Sequence, residues 1–476
     1  MPLLALSTAR GAEVVVDLTT EAASTFAPTP SLGPAGDVNG DGYQDVVLGV
    51  RCFNETEPDL AFVAFGPLQP GTHDVSSGDV PGFRIEGEPG DEGACFLSSS
   101  VLGDVNGDGL DDVVVGAPRA NHGDRVRNGT VYVIFGKTDQ EPVSLPSFDA
   151  DSQGDAGYAI QGPDVGFAGE DLAGLGDVNG DGLADLALGS PFYGTTYVVF
   201  GKSDTETVDL ATFETGTHGD AGYLIRTRWA DESNGYAVGA AGDVNADGIP
   251  DVVIGSVGND NTPVGRAYVV FGKADPEPID ARRLLGTGLG FEIKALYGGD
   301  TGGKAVSGAG DVNGDGRDDV LVGMPRDTSY DRGLAFVVFG KKRSAPVKLS
   351  ELGTKGFRIK GAHRRDAAGN ALAAVGDING DGLDDFLVGA RRDQVSQRGQ
   401  VGAAYLVYGK SDPDRIALRR LTRNQGVRFI GREGSSRTGS TVAGPGDMNG
   451  DGIPDIMIGA LTGGYSDIMW GRSWED

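Results

Sequence analysis

Short apolar runs recur along the whole chain, separated by Gly, Asp and Pro. One stretch reads GFRIEG, then ACFLSSSVLGDVNGDGLDDVVVGAP, then a polar loop, then GTVYVIFGK. FRIEG, DVVVGAP and TVYVIFG are three clear runs, and a fourth, weaker one precedes the acidic loop. β-Branched and aromatic side chains bounded by turn residues mark strands. VVVG and VYVIF hardly alternate, so those strands are expected to be covered on both faces.

This order returns at a fixed interval. GDVNGDG or a close variant places its first Asp at Asp37, Asp104, Asp177, Asp243, Asp311, Asp377 and Asp447, with spacings of 67, 73, 66, 68, 66 and 70 residues. Seven such units account for nearly the whole chain and leave no second domain. Four strands per unit, seven times, predict an all-β fold: a seven-bladed β-propeller of four-stranded antiparallel blades, its ring closed by an N-terminal strand. A β-sandwich does not explain the period, and a linear solenoid would need polar capping repeats that neither end resembles. The last unit stops after SDIMWGR without an outer strand, while GAEVVVDL precedes the first unit as a spare one. Residues 13–18 are therefore expected to complete the seventh blade, a frayed terminal arm being the alternative. The division is 1–11 as an N-terminal tail, 12–471 as the propeller and 472–476 as a C-terminal tail. The opening MPLLALSTARGA has a short apolar run but no basic region ahead of it, so it reads as a trimmed signal remnant rather than a complete signal.

Composition agrees and narrows the function. Gly makes up 80 of 476 residues, more than twice the usual share of about 7 %, which excludes a helical bundle. No Gly-X-Y period suggests collagen. The net charge of −29 argues against nucleic acid, whose phosphates need clustered Lys and Arg. No run of about 18 apolar residues suggests a membrane span.

The acid is concentrated in the repeated loop, D-x-N-x-D-G-x-x-D. Positions 1, 3, 5, 7 and 9 are Asp37, Asn39, Asp41, Tyr43 and Asp45 in the first unit, and Asp104, Asn106, Asp108, Leu110 and Asp112 in the second. They are Asp177, Asn179, Asp181, Leu183 and Asp185 in the third, and Asp243, Asn245, Asp247, Ile249 and Asp251 in the fourth. They are Asp311, Asn313, Asp315, Arg317 and Asp319 in the fifth, and Asp377, Asn379, Asp381, Leu383 and Asp385 in the sixth. The seventh has Asp447, Asn449, Asp451, Ile453 and Asp455. Ca²⁺ takes six to eight oxygens at about 2.3–2.6 Å. Positions 1, 3 and 5 can give side-chain oxygens, the variable position 7 a backbone carbonyl, and the final Asp both oxygens. Gly at position 6 permits the sharp turn. EF-hand and dockerin loops use similar residues but continue into a helix, whereas VVVGAP follows here. A polar hairpin held by Asx hydrogen bonds is the alternative without metal. Soft ligands are lacking, so Zn²⁺ and Cu²⁺ are disfavoured, and Mg²⁺ prefers more water. The expectation is Ca²⁺, about seven per chain by the count of loops. Ala246 replaces Gly at position 4 of the fourth loop. A positive φ there would strain it, so this site is expected to be the weakest.

At these residues the sequence resembles the FG-GAP repeats of the integrin α-subunit β-propeller, across about 12–471. Gly116-Ala117-Pro118 supplies the Gly-Ala-Pro element, which degrades to Gly189-Ser190-Pro191, Gly323-Met324-Pro325 and Gly389-Ala390-Arg391. The resemblance implies Ca²⁺ in the hairpin joining the first two strands of each blade, on the lower face, with ligands on the upper face. Integrin α-subunits carry the loop in only some blades, whereas all seven carry it here. With no leg domains, span or cytoplasmic tail after the propeller, the chain looks more like a free-standing bacterial-type integrin-like repeat protein.

The function expected is therefore a Ca²⁺-stabilised extracellular or cell-surface scaffold for adhesion, binding a protein or glycan through upper-face loops. Arg119, Arg125, Arg127, Arg326, Arg332, Arg391, Arg392 and Arg398 lie in such loops, and Arg364 and Arg365 in another connection. Blades 5 and 6 are expected to form a basic patch for an acidic partner; solubilising loop charge is the plain alternative. Catalysis is not expected: His73, His122, His218 and His363 follow no ligand spacing, and no hydrolase or nucleotide motif occurs. FG-GAP-type propellers resemble modules attached to phospholipases, lyases and glycosidases, so an accessory module of an exported hydrolase or lyase is the rival reading. Cys52 and Cys95 are expected on the upper face of one blade–blade seam, as a disulfide or as two buried thiols.

Overall fold

The computed structural model describes residues 13–472 apart from 28–30, 51–59, 75–79, 88–97, 123, 150–152, 193, 227–232, 258–264, 296–301, 327–331, 396–398 and 433–435. Cys52, Cys95 and Arg398 lie outside the described residues.

Seven sheets, antiparallel across their inner four strands, stand around an axis, one per repeat. Blade 3 shows the plan: Leu172–Gly176 innermost, then Asp185–Ser190, Thr195–Val199 and Gly222–Arg226. The second and third strands are buried along their whole length in this blade and in blades 2 and 5, as their unbroken apolar runs require. The core lies between blades rather than within one. Val47, Val63, Phe83 and Ile85 of blade 1 pack with Val113, Val115 and Ile134 of blade 2, and each further seam repeats this arrangement.

Two features correct the sequence reading. Each sheet has five strands, not four. The connection between the third and fourth strands of one blade reaches back and lays a short parallel strand on the outer edge of the blade before it. Val143–Ser144, from blade 2, pairs with Ile85 and Glu86 of blade 1. Val208–Asp209, Ile279–Asp280, Val347–Lys348 and Ile416–Ala417 repeat this on blades 2 to 5. The second correction concerns closure. Val14–Asp17 does not complete blade 7; it is the fifth strand of blade 6, parallel to Val427–Ile430. Ser24–Ala27 completes blade 7, antiparallel to its third strand, with Gly71–Asp74 outside it. The N-terminal segment thus supplies both parts of the connection that the chain ends interrupt.

At five of the seven seams a lysine after the third strand ties one outer edge to its neighbour. Lys137, Lys202, Lys273, Lys341 and Lys410 place Nζ over the rings of Phe83, Tyr158, Tyr223, Phe291 and Phe357 of the preceding blade, 4.0–5.1 Å from the centroids. Each is a cation–π contact across a seam. The axis encloses a channel of about 700 Å³ lined by the innermost strand of every blade. Small residues allow the strands to converge there: a Cβ on Gly174 would sit 2.2 Å from the Val101 carbonyl oxygen of the adjacent blade.

Candidate metal centres

The acidic loops all join first to second strands and so gather on one rim. Their backbone explains the glycines. Position 6 is left-handed in every loop, with φ from 81° to 93°. Position 4 is left-handed as well, and Ala246 adopts φ 56° where the other six loops have glycine. The strain foreseen for Ala246 is therefore present. In the second loop the Gly107 N–H donates to Asp104 Oδ1 at 2.6 Å; in the fourth, the Ala246 N–H turns to the Asp243 carbonyl at 3.4 Å.

Position 1 organises each loop. Its carboxylate accepts the N–H groups of positions 5 and 6 in all seven copies, at 2.6–3.1 Å. Position 3 Oδ1 accepts the position 5 N–H in loops 1, 2, 3, 6 and 7. Position 5 Oδ1 accepts the position 7 N–H in every loop but the fifth, where Arg317 Nη1 donates to it instead, at 3.3 Å. These are Asx-type bonds, so the hairpin expected without metal is built into the fold.

The final aspartate does something the sequence did not reveal. Asp45, Asp112, Asp185, Asp251, Asp319, Asp385 and Asp455 have no solvent exposure. One oxygen of each accepts the N–H of the glycine that ends the third strand, at 2.7–3.0 Å. The other accepts the position 2 N–H in six loops; in the fifth, the Asn313 amide reaches both oxygens. The residue is a clasp between loop and third strand, with one lone pair per oxygen left for anything else in six loops and one on Oδ2 alone of Asp319 in the fifth. Burial, reinforced by positions 1 and 5, pushes these carboxyls up: to about 7 for Asp45, Asp112, Asp185 and Asp385, about 8 for Asp251 and Asp319, and about 6 for Asp455.

The donor set fits a hard cation in its chemistry: carboxylate, amide and carbonyl oxygens, no sulfur or imidazole, and like charges in want of a counter-charge. The carboxylates are nevertheless turned onto backbone N–H groups rather than onto a common point. Among the described residues, the cluster bringing three ligand atoms within 4.8 Å of one another lies elsewhere, at His363, Asp366 and Asp393. That cluster is already satisfied. Asp393 accepts from Arg428 Nη2 at 2.8 Å, from the Tyr405 hydroxyl at 2.5 Å, and pairs with His363 Nδ1 at 2.7 Å. A guanidinium in contact with the carboxylate makes it an ion-pair network rather than a cation seat. Arg428 also faces Glu13, 3.7 Å away, and so anchors the N-terminal segment.

The arginines divide. Arg125 is engaged within its own blade by a bidentate pair with Asp209, at 2.7 and 2.8 Å. Arg332 Nη1 donates to the Ala362 carbonyl at 3.0 Å. Arg119, Arg127, Arg326, Arg364, Arg365 and Arg392 are exposed. Arg391 is half-buried; burial, then Arg392 and Arg437, lower its pKa, and its Nε has no hydrogen-bond partner. The Arg391 N–H donates to Asn370 Oδ1 at 2.9 Å, and Asn370 bonds to the Gly439 carbonyl across the 6/7 seam. Among the other histidines, His73 stacks on Phe26 and His218 on Phe213, while His122 Nε2 bonds to Gln161.

The FG-GAP repeat profile matches residues 96–134, 168–208 and 368–407, within blades 2, 3 and 6. The chain carries FG-GAP repeats on a seven-bladed β-propeller. It is 29 % identical over 240 residues to integrin alpha pat-2 of Caenorhabditis elegans, covering 47 % of this chain and 17 % of that one. It is 30 % identical over 236 residues to integrin alpha-PS2 of Drosophila melanogaster, covering 48 % and 15 %. Phosphatidylinositol-glycan-specific phospholipase D of Bos taurus is 34 % identical over 167 residues, covering 32 % and 17 %. The match thus spans less than a fifth of each of these relatives. No helix among the described residues is long and apolar enough to cross a membrane.

Proposed function

We propose that the chain is a calcium-binding extracellular scaffold for adhesion, taking a protein or glycan through its upper-face loops. The observation that carries the metal part is the sevenfold oxygen donor set, whose final carboxylate is fully buried beside two more. Positions 1, 3 and 5 would give side-chain oxygens, position 7 its carbonyl, and the clasp aspartate its remaining lone pairs. A divalent cation in each loop supplies the positive charge that offsets these carboxylates. Extracellular modules bind Ca²⁺ at about 10⁻⁴–10⁻³ M, a range that suits an exported protein. The test is a thermal melt with and without chelator, together with metal counting. About seven Ca²⁺ per chain, one per loop, and a large loss of stability on chelation are expected. A melt indifferent to chelator with no calcium retained refutes the reading.

The resemblance to integrin α chains supports the adhesive part. Arg391, with its unpartnered Nε, Arg392, Arg364 and Arg365 make blades 5 and 6 the favoured site for an acidic partner. Binding to immobilised heparin or polyglutamate should fall in R391E/R392E and persist in R119E; equal binding by all three proteins removes this surface. The phospholipase D among the relatives supports the rival reading, an accessory propeller of an exported hydrolase or lyase. A catalytic domain fused to the propeller or encoded beside it would favour that reading.

A further inference from the structure

The loops are not independent of one another. In each blade the glycine before position 1 faces position 8 of the next blade's loop. A Cβ on Gly36, Gly242 or Gly310 would meet Asp111, Asp318 or Asp384, whereas on Gly176 or Gly376 it would meet Pro250 or Pro454. Where position 8 is aspartate, the two loops are hydrogen-bonded reciprocally. The Asp37 N–H donates to Asp111 Oδ2 at 2.8 Å, Asp243 to Asp318 at 2.7 Å and Asp311 to Asp384 at 2.8 Å. In return, the Asp111, Asp318 and Asp384 N–H groups donate to the carbonyls of Asp37, Asp243 and Asp311 at 3.2–3.3 Å. Ala184 keeps only the backbone half of this link, to the Asp104 carbonyl at 2.9 Å. Pro250 and Pro454 can supply neither half, lacking both the carboxylate and the N–H.

We propose that Asp111, Asp318 and Asp384 are positioning residues that couple neighbouring loops, so that loops 1 and 2 fill with calcium as one unit and loops 4, 5 and 6 as another, bounded by the prolines at 250 and 454. This rests on the calcium reading above. The physical basis is that the position 1 residue plays two parts. Its carboxylate organises its own loop, and its backbone is held from the next blade by a residue flanked by the position 7 carbonyl and the position 9 clasp. Ordering either loop fixes the groups that frame the other, which is a coupling free energy and acts in both directions.

Hydrogen exchange read loop by loop on the whole chain, at stepped free calcium, tests this. Loops 4, 5 and 6 should gain protection at one shared midpoint in the native protein, loop 4 being drawn to it by its neighbours despite the strain at Ala246. In Asp318→Ala, the midpoint of loop 4 should separate from those of loops 5 and 6 by about threefold or more, with loops 1 and 2 unmoved. Asp318→Asn keeps an acceptor oxygen and should hold the midpoints together; Asp111→Ala should split loops 1 and 2 alone. Coincident midpoints for loops 4 and 5 in Asp318→Ala overturn the coupling while leaving calcium binding intact. Protection of no loop at any calcium concentration overturns the calcium reading and the coupling with it.

Discussion

The assignment of the closing strands makes a sharp prediction, because adjacent N-terminal residues should damage different blades. Phe26 has no solvent exposure, stacks on His73 at 5.1 Å and packs among Val46, Leu48, Met457 and Ile468 between blades 7 and 1. Val16 is equally buried but lies between blades 6 and 7, with Leu406, Val427 and Ile456. Val15, between them in sequence, is 41 % exposed. Phe26→Ala should cost about 3–5 kcal/mol, the usual range for deleting a buried aromatic ring. Val16→Ala should cost about 2 kcal/mol at some 0.8 kcal/mol per methylene plus a cavity term. Val15→Ala should stay within about 0.5 kcal/mol. For a chain this long, the entropy of unfolding near the midpoint is roughly 1 kcal/mol per kelvin, so the shifts in Tm are only about 4, 2 and 0 °C. Chemical denaturation is the better measure, with hydrogen exchange to locate the damage. Phe26→Ala should expose the amides of Tyr465–Met469, and Val16→Ala those of Gly426–Ile430. The closure is wrong as described if Val16→Ala opens Tyr465–Met469 as fully as Phe26→Ala does. It is also wrong if Phe26→Ala costs no more than Val15→Ala.

Ala246→Gly should stabilise the protein by about 0.5–1 kcal/mol: relief of a left-handed alanine exceeds the entropy that glycine returns to the unfolded chain, and denaturant midpoints will show the sign. Lys273→Met should cost about 1–2 kcal/mol through loss of its contacts with the Tyr223 ring and Asp275, a value that unfolding of the variant in high salt should reduce. Asp171 lies beside the channel, where burial pushes its carboxyl up to about 7 and it accepts the Val238 N–H at 2.9 Å. The folded state therefore holds its proton more tightly than the unfolded chain, and this residue's effect on stability worsens as pH rises from about 4 to 7. Asp171→Asn should remove that decline and raise stability at pH 8 by about 1–2 kcal/mol, water in the channel screening the rest; an unchanged pH profile refutes the assignment.

The period, the blade number and the strand core were legible because Val/Ile/Leu runs between glycines leave few alternatives. The fifth strands were not, since pairs such as Val143–Ser144 are too short to show a period. Their signal is positional: Val143, Val208, Ile279, Val347 and Ile416 each stand seven residues beyond the glycine closing the third strand. The same blind spot misplaced the closure. VVVD is the more hydrophobic segment and attracts attention, yet STFA, with Phe26 and a Thr25 that donates to Asp467 at 2.7 Å, fills the gap in blade 7. In the acidic loops the donor set was legible, but the burial of the final aspartate was not. Its partners come from the third strand, some 20 residues on, as Gly66 does for Asp45. Position 8 looked like spacer sequence because its meaning lies in the neighbouring repeat. His363 showed no ligand spacing for a similar reason, since Asp393 lies 30 residues on and Arg428 joins the group only through Asp393.

The backward-reaching strand and its lysine also define where the protein can be cut and rejoined. A repeat excised as a unit takes with it the fifth strand of the blade before it, and the following repeat then delivers an equivalent strand and lysine to that same edge. Between blades 1 and 6 such an exchange regenerates the lysine-on-ring joint, because five successive seams use one design. The joints at blade 7 are not interchangeable with these: Val427 and Ser24 stand where the fourth strands of blades 1 to 5 offer a ring, and Arg472 and Pro67 follow the third-strand glycines of blades 7 and 1. Repeats 2 to 5 are thus spare parts for one another, and the ring is most open to gaining or losing a blade on the side away from its own ends.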